Sequence, residues 1–330
     1  MSLLDKFIEK AKENPKVIVF PEGTDERILS AASKVSLEGI AKSIVLGNIE
    51  EVKSLAAKLN INIEKVRIED PLTSPNLEKY AISYSKSRDN ITKDIAIKLI
   101  RKSLSFGCMM VKNGDAYGLV GGAAHATASL IIAASLTIGF MEGIKTASSF
   151  FIMVIPDCLG EKDKVIIFAD CAVNINPTIE QLSDIAIASG RSAKALLGID
   201  PNIAMLSFST KGSASHEMVD KVISATKLAK EKAPDLNIDG ELQGDAALVQ
   251  RVALKKVKER GYPLGPAGKA NVLVFPDLNA GNIAYKLTQY LANAAAYGPI
   301  LQGFAKPVSD LSRGATVDDI VAVTVITSVK

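Results

Sequence analysis

The chain has 330 residues, long for one core, and two domains of about 100–200 residues each are the expectation. Its 48% hydrophobic and 23% charged residues are ordinary for a soluble globular enzyme. A formal net charge of only +3, no tryptophan and 5% aromatic residues argue against a nucleic-acid partner, whether held by a basic surface or by base stacking.

In chain order, Leu3, Leu4, Phe7, Ile8 and Ala11 sit at helical spacing. This opening is charged within a few residues and has no long apolar stretch, so it reads as an amphipathic helix and not as a signal peptide. A buried-strand pattern over 16–20 is broken by Pro21-Glu22-Gly23. A helix over about 25–37 follows, then a strand over 43–46 ended by Gly47-Asn48, and another such unit ends at 118–122. The most apolar stretch, 130–140, is far short of the ~20 residues a membrane span needs. No membrane contact and a cytoplasmic location are therefore expected.

Apolar strands over 150–155 and 164–170, separated by Gly160-Glu161-Lys162-Asp163, suggest a hairpin inside a largely parallel sheet. A helix near 178–196, a strand at 203–207, a helix near 216–232 and a short strand at 238–240 come next. A strand over 271–275 stops at Pro276-Asp277, and a helix is expected from about Asn282. Alternation of this kind, with short Gly and Pro punctuation, predicts an α/β fold of mainly parallel sheets with crossover helices. Arg251 to Arg260, with Lys255, Lys256 and Lys258, reads as a solvated helix face; as a binding site it would suit a phosphate-bearing cofactor as well as nucleic acid. Cys108, Cys158 and Cys171 are widely spaced in mostly apolar surroundings, which is neither a disulfide framework nor a zinc site and fits a reducing compartment.

Four loops carry polar groups that a core does not need, and several follow strands, where ligands bind in open α/β sheets. Gly121-Gly122-Ala123-Ala124-His125-Ala126-Thr127 permits close backbone approach, and its amides, entering a helix, can cradle an anion; it equally suits a tight strand-to-helix turn. Ser209-Thr210-Lys211-Gly212-Ser213 is rich in hydroxyls. Asp239-Gly240-Glu241-Leu242-Gln243-Gly244-Asp245 offers three acids, which fit a helix start better than a cation site. Pro276-Asp277-Leu278-Asn279-Ala280-Gly281-Asn282 is the fourth. The two histidines, His125 and His216, have no second histidine or cysteine nearby, so no metal role is assigned; His125 is the better site contact.

Near the end, Ser312-Arg313-Gly314 precedes Thr316, Asp318 and Asp319. Ser312 offers a hydrogen bond, Arg313 a planar fork suited to phosphate and Asp319 a general base, the groups needed to move an acyl group between a phosphate and a thiol. Taken alone, Thr316 with its two acids is also an N-cap with acids in the first helical turn.

Over its whole length the chain resembles the phosphate acetyltransferases (phosphotransacetylases). The likeness rests on Phe106-Gly107-Cys108-Met109-Met110, Pro156-Asp157-Cys158, Leu206-Ser207-Phe208-Ser209-Thr210-Lys211-Gly212-Ser213-Ala214, Asp239-Gly240-Glu241-Leu242-Gln243, Phe275-Pro276-Asp277-Leu278-Asn279-Ala280-Gly281-Asn282, Tyr297-Gly298-Pro299-Ile300 and Ser312-Arg313-Gly314. It implies acetyl phosphate + coenzyme A ⇌ acetyl-CoA + phosphate, with coenzyme A as co-substrate, no tightly bound cofactor and no metal. It also implies two three-layer α/β domains, 1–144 plus 297–330 and 145–296, with the active site in a cleft between them, usually in a homodimer. Direct transfer in a ternary complex is the implied route; a covalent one through Cys158 is the lesser variant. Ser312 would steady the carbonyl oxygen, Arg313 would hold the phosphate and Asp319 would take the thiol proton. His125, Thr127, Lys86, Arg88, Ser209, Lys211, Asn279, Asn282, Tyr297 and Cys158 are the implied substrate contacts.

Two windows depart from the family pattern. Its loop arginine, proline and aspartate fall on Ile132, Ala133 and Ser129, and Lys86 takes the place of a second arginine, with Arg88 two residues on. Both family arginines are thought to contact coenzyme A or phosphate, so losing one charge-assisted bond costs about 1.5–3 kcal/mol. A longer-chain acyltransferase of the butyryl type, or a non-catalytic relative that keeps the fold, are the rival readings.

Overall fold

The computed structural model describes all 330 residues. In chain order its elements are α1 Leu3–Glu13, β1 Lys16–Phe20, α2 Glu26–Leu37, β2 Ala41–Leu46, α3 Ile49–Leu59, β3 Arg67–Glu69, α4 Asn76–Lys86, α5 Lys93–Ile100, α6 Ser103–Asn113, β4 Gly118–Gly121 and α7 Thr127–Thr137. Then follow β5 Ser148–Cys158, β6 Glu161–Ala169, α8 Ile179–Leu197, β7 Asn202–Leu206, α9 Glu217–Lys232, β8 Asn237–Leu242, α10 Gly244–Leu248, α11 Gln250–Lys256, β9 Val272–Val274, α12 Leu278–Leu291 and β10 Ala295–Gln302. The chain closes with β11 Val308–Asp310 and α13 Val317–Val329.

Two compact units result, Met1–Phe140 with Phe304–Lys330, and Met141–Gly303. The first holds a five-stranded sheet in the order β11-β4-β1-β2-β3, and every pairing in it is parallel. Helices cover both faces, as the pleat requires of a parallel sheet buried on each side. At Gly118 an added Cβ would meet Thr327 of α13, while at Gly107 of α6 it would meet Leu119, the next residue along β4. Caps set the helix starts: Asp25 accepts from the amides of Arg27 and Ile28, and Ser2 with Asp5 forms a capping box on α1.

The second unit has a six-stranded sheet in the order β10-β5-β6-β9-β7-β8. As the apolar runs around Gly160 predict, β5 and β6 form an antiparallel hairpin, and β6, β9, β7 and β8 are mutually parallel. Tyr297 lies within β10, opposite Ile152 of β5. The return to the first sheet therefore begins at Phe304 and not at Tyr297, because ladder hydrogen bonds hold 295–302 against β5. One helix start also moves. Asp277 caps α12 by accepting from Ala280 N, so the helix begins at Leu278 and not near Asn282.

Ile326 of α13 is fully buried, in a helix packed on α1, α2 and β4. Ile326→Ala should destabilise the first unit by about 2–5 kcal/mol, read as a lower urea midpoint; an unchanged midpoint would mean that this contact contributes nothing.

Candidate active site

The site begins with a buried acid that follows β1. Because β1 and β4 are parallel neighbours, the loops leaving their C-terminal ends lie side by side. Glu22, in the Pro-Glu-Gly break after β1, reaches the glycine turn after β4. Its Oε2 accepts from Gly122 N and Ala123 N, each at 3.0 Å. Its Oε1 accepts from Ala124 N and His125 N, each at 2.8 Å, and lies 2.7 Å from His125 Nδ1. The turn does cradle an anion, as its residues suggest, but the anion is the protein's own carboxylate. Gly122 has φ +114°, and a Cβ there would fall 2.2 Å from Asp310 Oδ1, so a side chain is excluded.

The tail meets this turn through β11, whose Asp310 pairs with Gly121 of β4. Thr127 Oγ1, at the start of α7, donates to Asp310 Oδ2 at 2.5 Å. Asp310 Oδ1 is buried without a partner. Burial pushes the Asp310 carboxyl up to about 6; the Thr127 bond opposes the rise and the nearby Glu22 charge adds to it.

Arg27, in the first turn of α2, ties the two loops together. Its Nε and Nη2 donate to the Asp25 carboxylate at 3.1 and 2.7 Å. Its Nη1 donates to the carbonyls of Arg313 (2.6 Å) and Ala315 (3.2 Å), and Nη2 also to that of Ala123 at 3.2 Å. One planar fork thus fixes the backbone on both sides of Gly314 and that of the glycine turn. The side chains of Ser312 and Arg313 stay exposed, and Ser312 Oγ accepts from Gly314 N at 3.2 Å. Asp319 is exposed and completes a capping box, its Oδ2 accepting from Thr316 N (2.9 Å) and Thr316 Oγ1 (2.8 Å). The apolar setting that a carboxylate base needs is absent around it within this unit.

A cavity of about 600 Å³ adjoins the turn in the same unit. Its walls come from α4, α5, the start of α6 and α7, and include Tyr84, Leu104, His125, Ile132 and Leu136. Ile132 is 58% exposed. Arg88 Nη2 donates to Leu136 O at 2.8 Å, and its guanidinium lies 6.0 Å from the centre of the Tyr84 ring. Lys86 ends α4 and is exposed. Of the two basic residues in that window, the one brought to α7 is Arg88.

In the second unit, Ser209 and Lys211 are committed internally. Ser209 Oγ donates to Glu241 Oε1 at 2.8 Å and accepts from Ala214 N at 3.1 Å. Lys211 Nζ donates to Gly240 O at 2.9 Å and pairs with Asp239 at 2.8 Å. Asp239 lies in the strand expected at 238–240, which extends to Leu242 and takes in Glu241; their partners are a lysine and a hydroxyl, and of the three acids only Asp245, in α10, stands at a helix start. Asn282 Nδ2 donates to Cys171 O at 3.1 Å, and Asn279 is exposed in the first turn of α12. Cys158 ends β5 opposite Glu161, and Tyr297 is partly buried in β10. His125, Thr127, Ser312 and Arg313 are thus gathered at one edge of the first sheet. Glu22 and Arg27, which gather them, escape sequence reasoning; the only signal was an acid placed directly in the break after a buried strand.

Residues 2–328 match the family described as phosphate acetyl/butaryl transferase. The chain belongs to that family. It is an acyltransferase. A phosphate acetyltransferase of Thermoanaerobacterium thermosaccharolyticum is 53% identical, covering 100% of this chain and 99% of its own length. That of Bacillus subtilis is 46% identical over 97% of this chain and 96% of its own. A solved phosphotransacetylase from Streptococcus pyogenes, 42% identical, matches with a TM-score of 0.89 over 99% of this chain and 97% of that one.

Two outcomes follow from the geometry. Arg27→Ala should speed amide hydrogen exchange at 312–316 and destabilise the unit by about 1–3 kcal/mol; unchanged exchange there would refute the tether. Burial raises the Asp310 carboxyl above its ordinary ~3.9, so it favours folding while protonated. That contribution is complete below about pH 4 and is lost as pH rises through about 6. Relative to wild type, Asp310→Asn should therefore gain on the order of 3 kcal/mol between about pH 4 and pH 7, measured by denaturant unfolding at each pH.

Proposed function

We propose that this acyltransferase interconverts acetyl phosphate plus coenzyme A and acetyl-CoA plus phosphate, the thiol attacking directly in a ternary complex. Full-length similarity to proteins named phosphate acetyltransferase supports this reading. The observation that carries it is the Arg27 clamp, which fixes the Arg313 backbone while leaving the guanidinium exposed at the sheet edge where open α/β sheets bind ligands. Arg313 holds the phosphoryl group of acetyl phosphate through its fork and favours the departure of phosphate. Ser312 donates to the carbonyl oxygen as it gains charge, a role worth roughly 3–4 kcal/mol of barrier. A thiol of ordinary pKa about 8.5 needs a base as it attacks, and Asp319 is the base that the family resemblance offers.

In the first unit, His125, Thr127 and Arg88 contact the substrates, with Lys86 beside them. In the second, Asn279, Asn282 and Tyr297 are further contacts that the resemblance implies, while Ser209 and Lys211 hold their own loop against β8. The same resemblance supports a homodimer acting in the cytoplasm in acetate metabolism; no helix is long and apolar enough to cross a membrane.

Purified protein given acetyl phosphate and coenzyme A should produce thioester absorbance, with propionyl and butyryl phosphates run beside it as slower donors. Arg313→Ala should lower kcat at least about 100-fold. Preference for butyryl phosphate would replace the acetyl reading with the longer-chain one, and absence of turnover with all three donors would reject it.

A further inference from the structure

We propose that Thr316 is a positioning residue for the proton-accepting step: it anchors one carboxylate oxygen of Asp319 and leaves the other, Oδ1, to take the thiol proton. The proposal deepens the acyl-transfer reading above, on which it rests, and keeps Asp319 as the base.

An aspartate exposed at a helix start ordinarily turns about two side-chain torsions, and a base that turns freely is seldom aligned with the thiol. Asp319 is held against such turning. Its Oδ2 accepts from Thr316 N at 2.9 Å and from Thr316 Oγ1 at 2.8 Å. Thr316 Oγ1 in turn accepts from Asp319 N at 3.2 Å. A hydroxyl has one proton and two lone pairs. Here the proton goes to Oδ2 and a lone pair receives the Asp319 amide. Both donors converge on one carboxylate oxygen, and neither reaches Oδ1.

Capping alone does not require this arrangement. A capping box needs two bonds, one from the amide of each residue to the side chain of the other. The boxes that open α1 and α8 have those two bonds and no third between the same residues. At α8 the hydroxyl of Thr178 donates to Glu180, the acid one residue before the boxed Gln181, at 2.9 Å. The counterpart of Glu180 in α13 is Asp318, and Lys34 of α2 engages it at 2.8 Å. The Thr316 hydroxyl donates instead to Asp319, the boxed acid itself.

The same joint ties the base to the groups it serves. Ala315 N donates to Ser312 O at 2.9 Å, and Arg27 clasps the carbonyls of Arg313 and Ala315, so the backbone entering Thr316 is already braced. Beyond it, Ile320 N donates to Thr316 O at 3.1 Å, and the Ile320 side chain is fully buried. Ser312, Arg313 and Asp319 therefore share one short braced segment. Thr316 extends that bracing from the backbone to the carboxylate.

In the step itself, the sulfur forms its bond to the acetyl carbonyl carbon while Asp319 Oδ1 takes the thiol proton. The bond from that carbon to the phosphate oxygen breaks, and its electron pair leaves with the phosphate. Asp319 then passes the proton to the departing phosphate, so the base is regenerated and nothing else is consumed. Thr316 touches no substrate.

The test uses the full chain in the acetyl phosphate and coenzyme A assay. Glycine caps a helix almost as well as threonine, so Thr316→Gly should melt within about 2 °C of wild type. Without the hydroxyl it should lose kcat by at least about tenfold, with little change in KM for either substrate. Thr316→Ser, which keeps the hydroxyl, should retain most of the wild-type kcat. In an Asp319→Ala background, Thr316→Gly should cost no more than about a further twofold; a general loosening of the fold would lower the rate in both backgrounds. A Thr316→Gly variant that keeps wild-type kcat overturns the proposal and leaves the acyl-transfer reading intact. So does an equal loss in the Asp319→Ala background, or wild-type turnover by Asp319→Ala itself. An inactive wild type overturns both.

Discussion

The carboxylate of Glu22 enters an environment that most acids cannot occupy. It is buried, and burial without partners would be costly; here consecutive amides of the glycine turn and a ring nitrogen surround it. The interaction works in both directions. The turn after β4 would otherwise leave four amides aimed inward without acceptors, and Glu22 would otherwise lack donors. Because each satisfies the other, the loop from Gly122 to His125 has one backbone path, and every side chain it carries inherits a fixed origin.

Parallel topology explains why the remaining groups arrive at the same place. The strands β1, β4 and β11 are consecutive neighbours, so their C-terminal ends emerge along one edge. From β1 comes Glu22, from β4 the glycine turn, and from β11 Asp310 and the Ser312–Arg313 segment. Arg27 then joins backbone carbonyls that are 190 residues apart in sequence, those of Ala123 and Arg313. Preorganisation of this kind spares a substrate the entropy of ordering the loops itself.

Much of this was legible from residue patterns alone. The runs at 16–20, 43–46 and 203–206 are strands because apolar stretches there stop at Pro21, Gly47 and Ser207, and Thr316 caps α13 as its spacing with Asp319 indicates. What escaped depended on partners far away in sequence. Nothing local marks Glu22 as the occupant of an amide cradle 100 residues later, or Arg27 as a tether. The short strand expected at 238–240 is there, but it runs on through Leu242, so Glu241 is a strand residue and not the helix-start acid that its glycine-containing loop suggested; its partner is Ser209, and that of Asp239 is Lys211. Similarly, β10 looked like part of the returning tail until its ladder with β5 assigned it to the other sheet.

The placement of β11 at the rim of its sheet bears on how the molecule is born. A ribosome releases the strands β1 and β4 long before it delivers 304–330, so the nascent first unit must wait with one flank of β4 unzipped and its glycine loop missing a neighbour. Only Val308–Asp310, far downstream of β4, closes that flank. A polypeptide stalled or clipped before Val308 would therefore carry most of a folded body, while β4 kept one unzipped flank and the glycine turn lacked Asp310 and the carbonyls that Arg27 clasps.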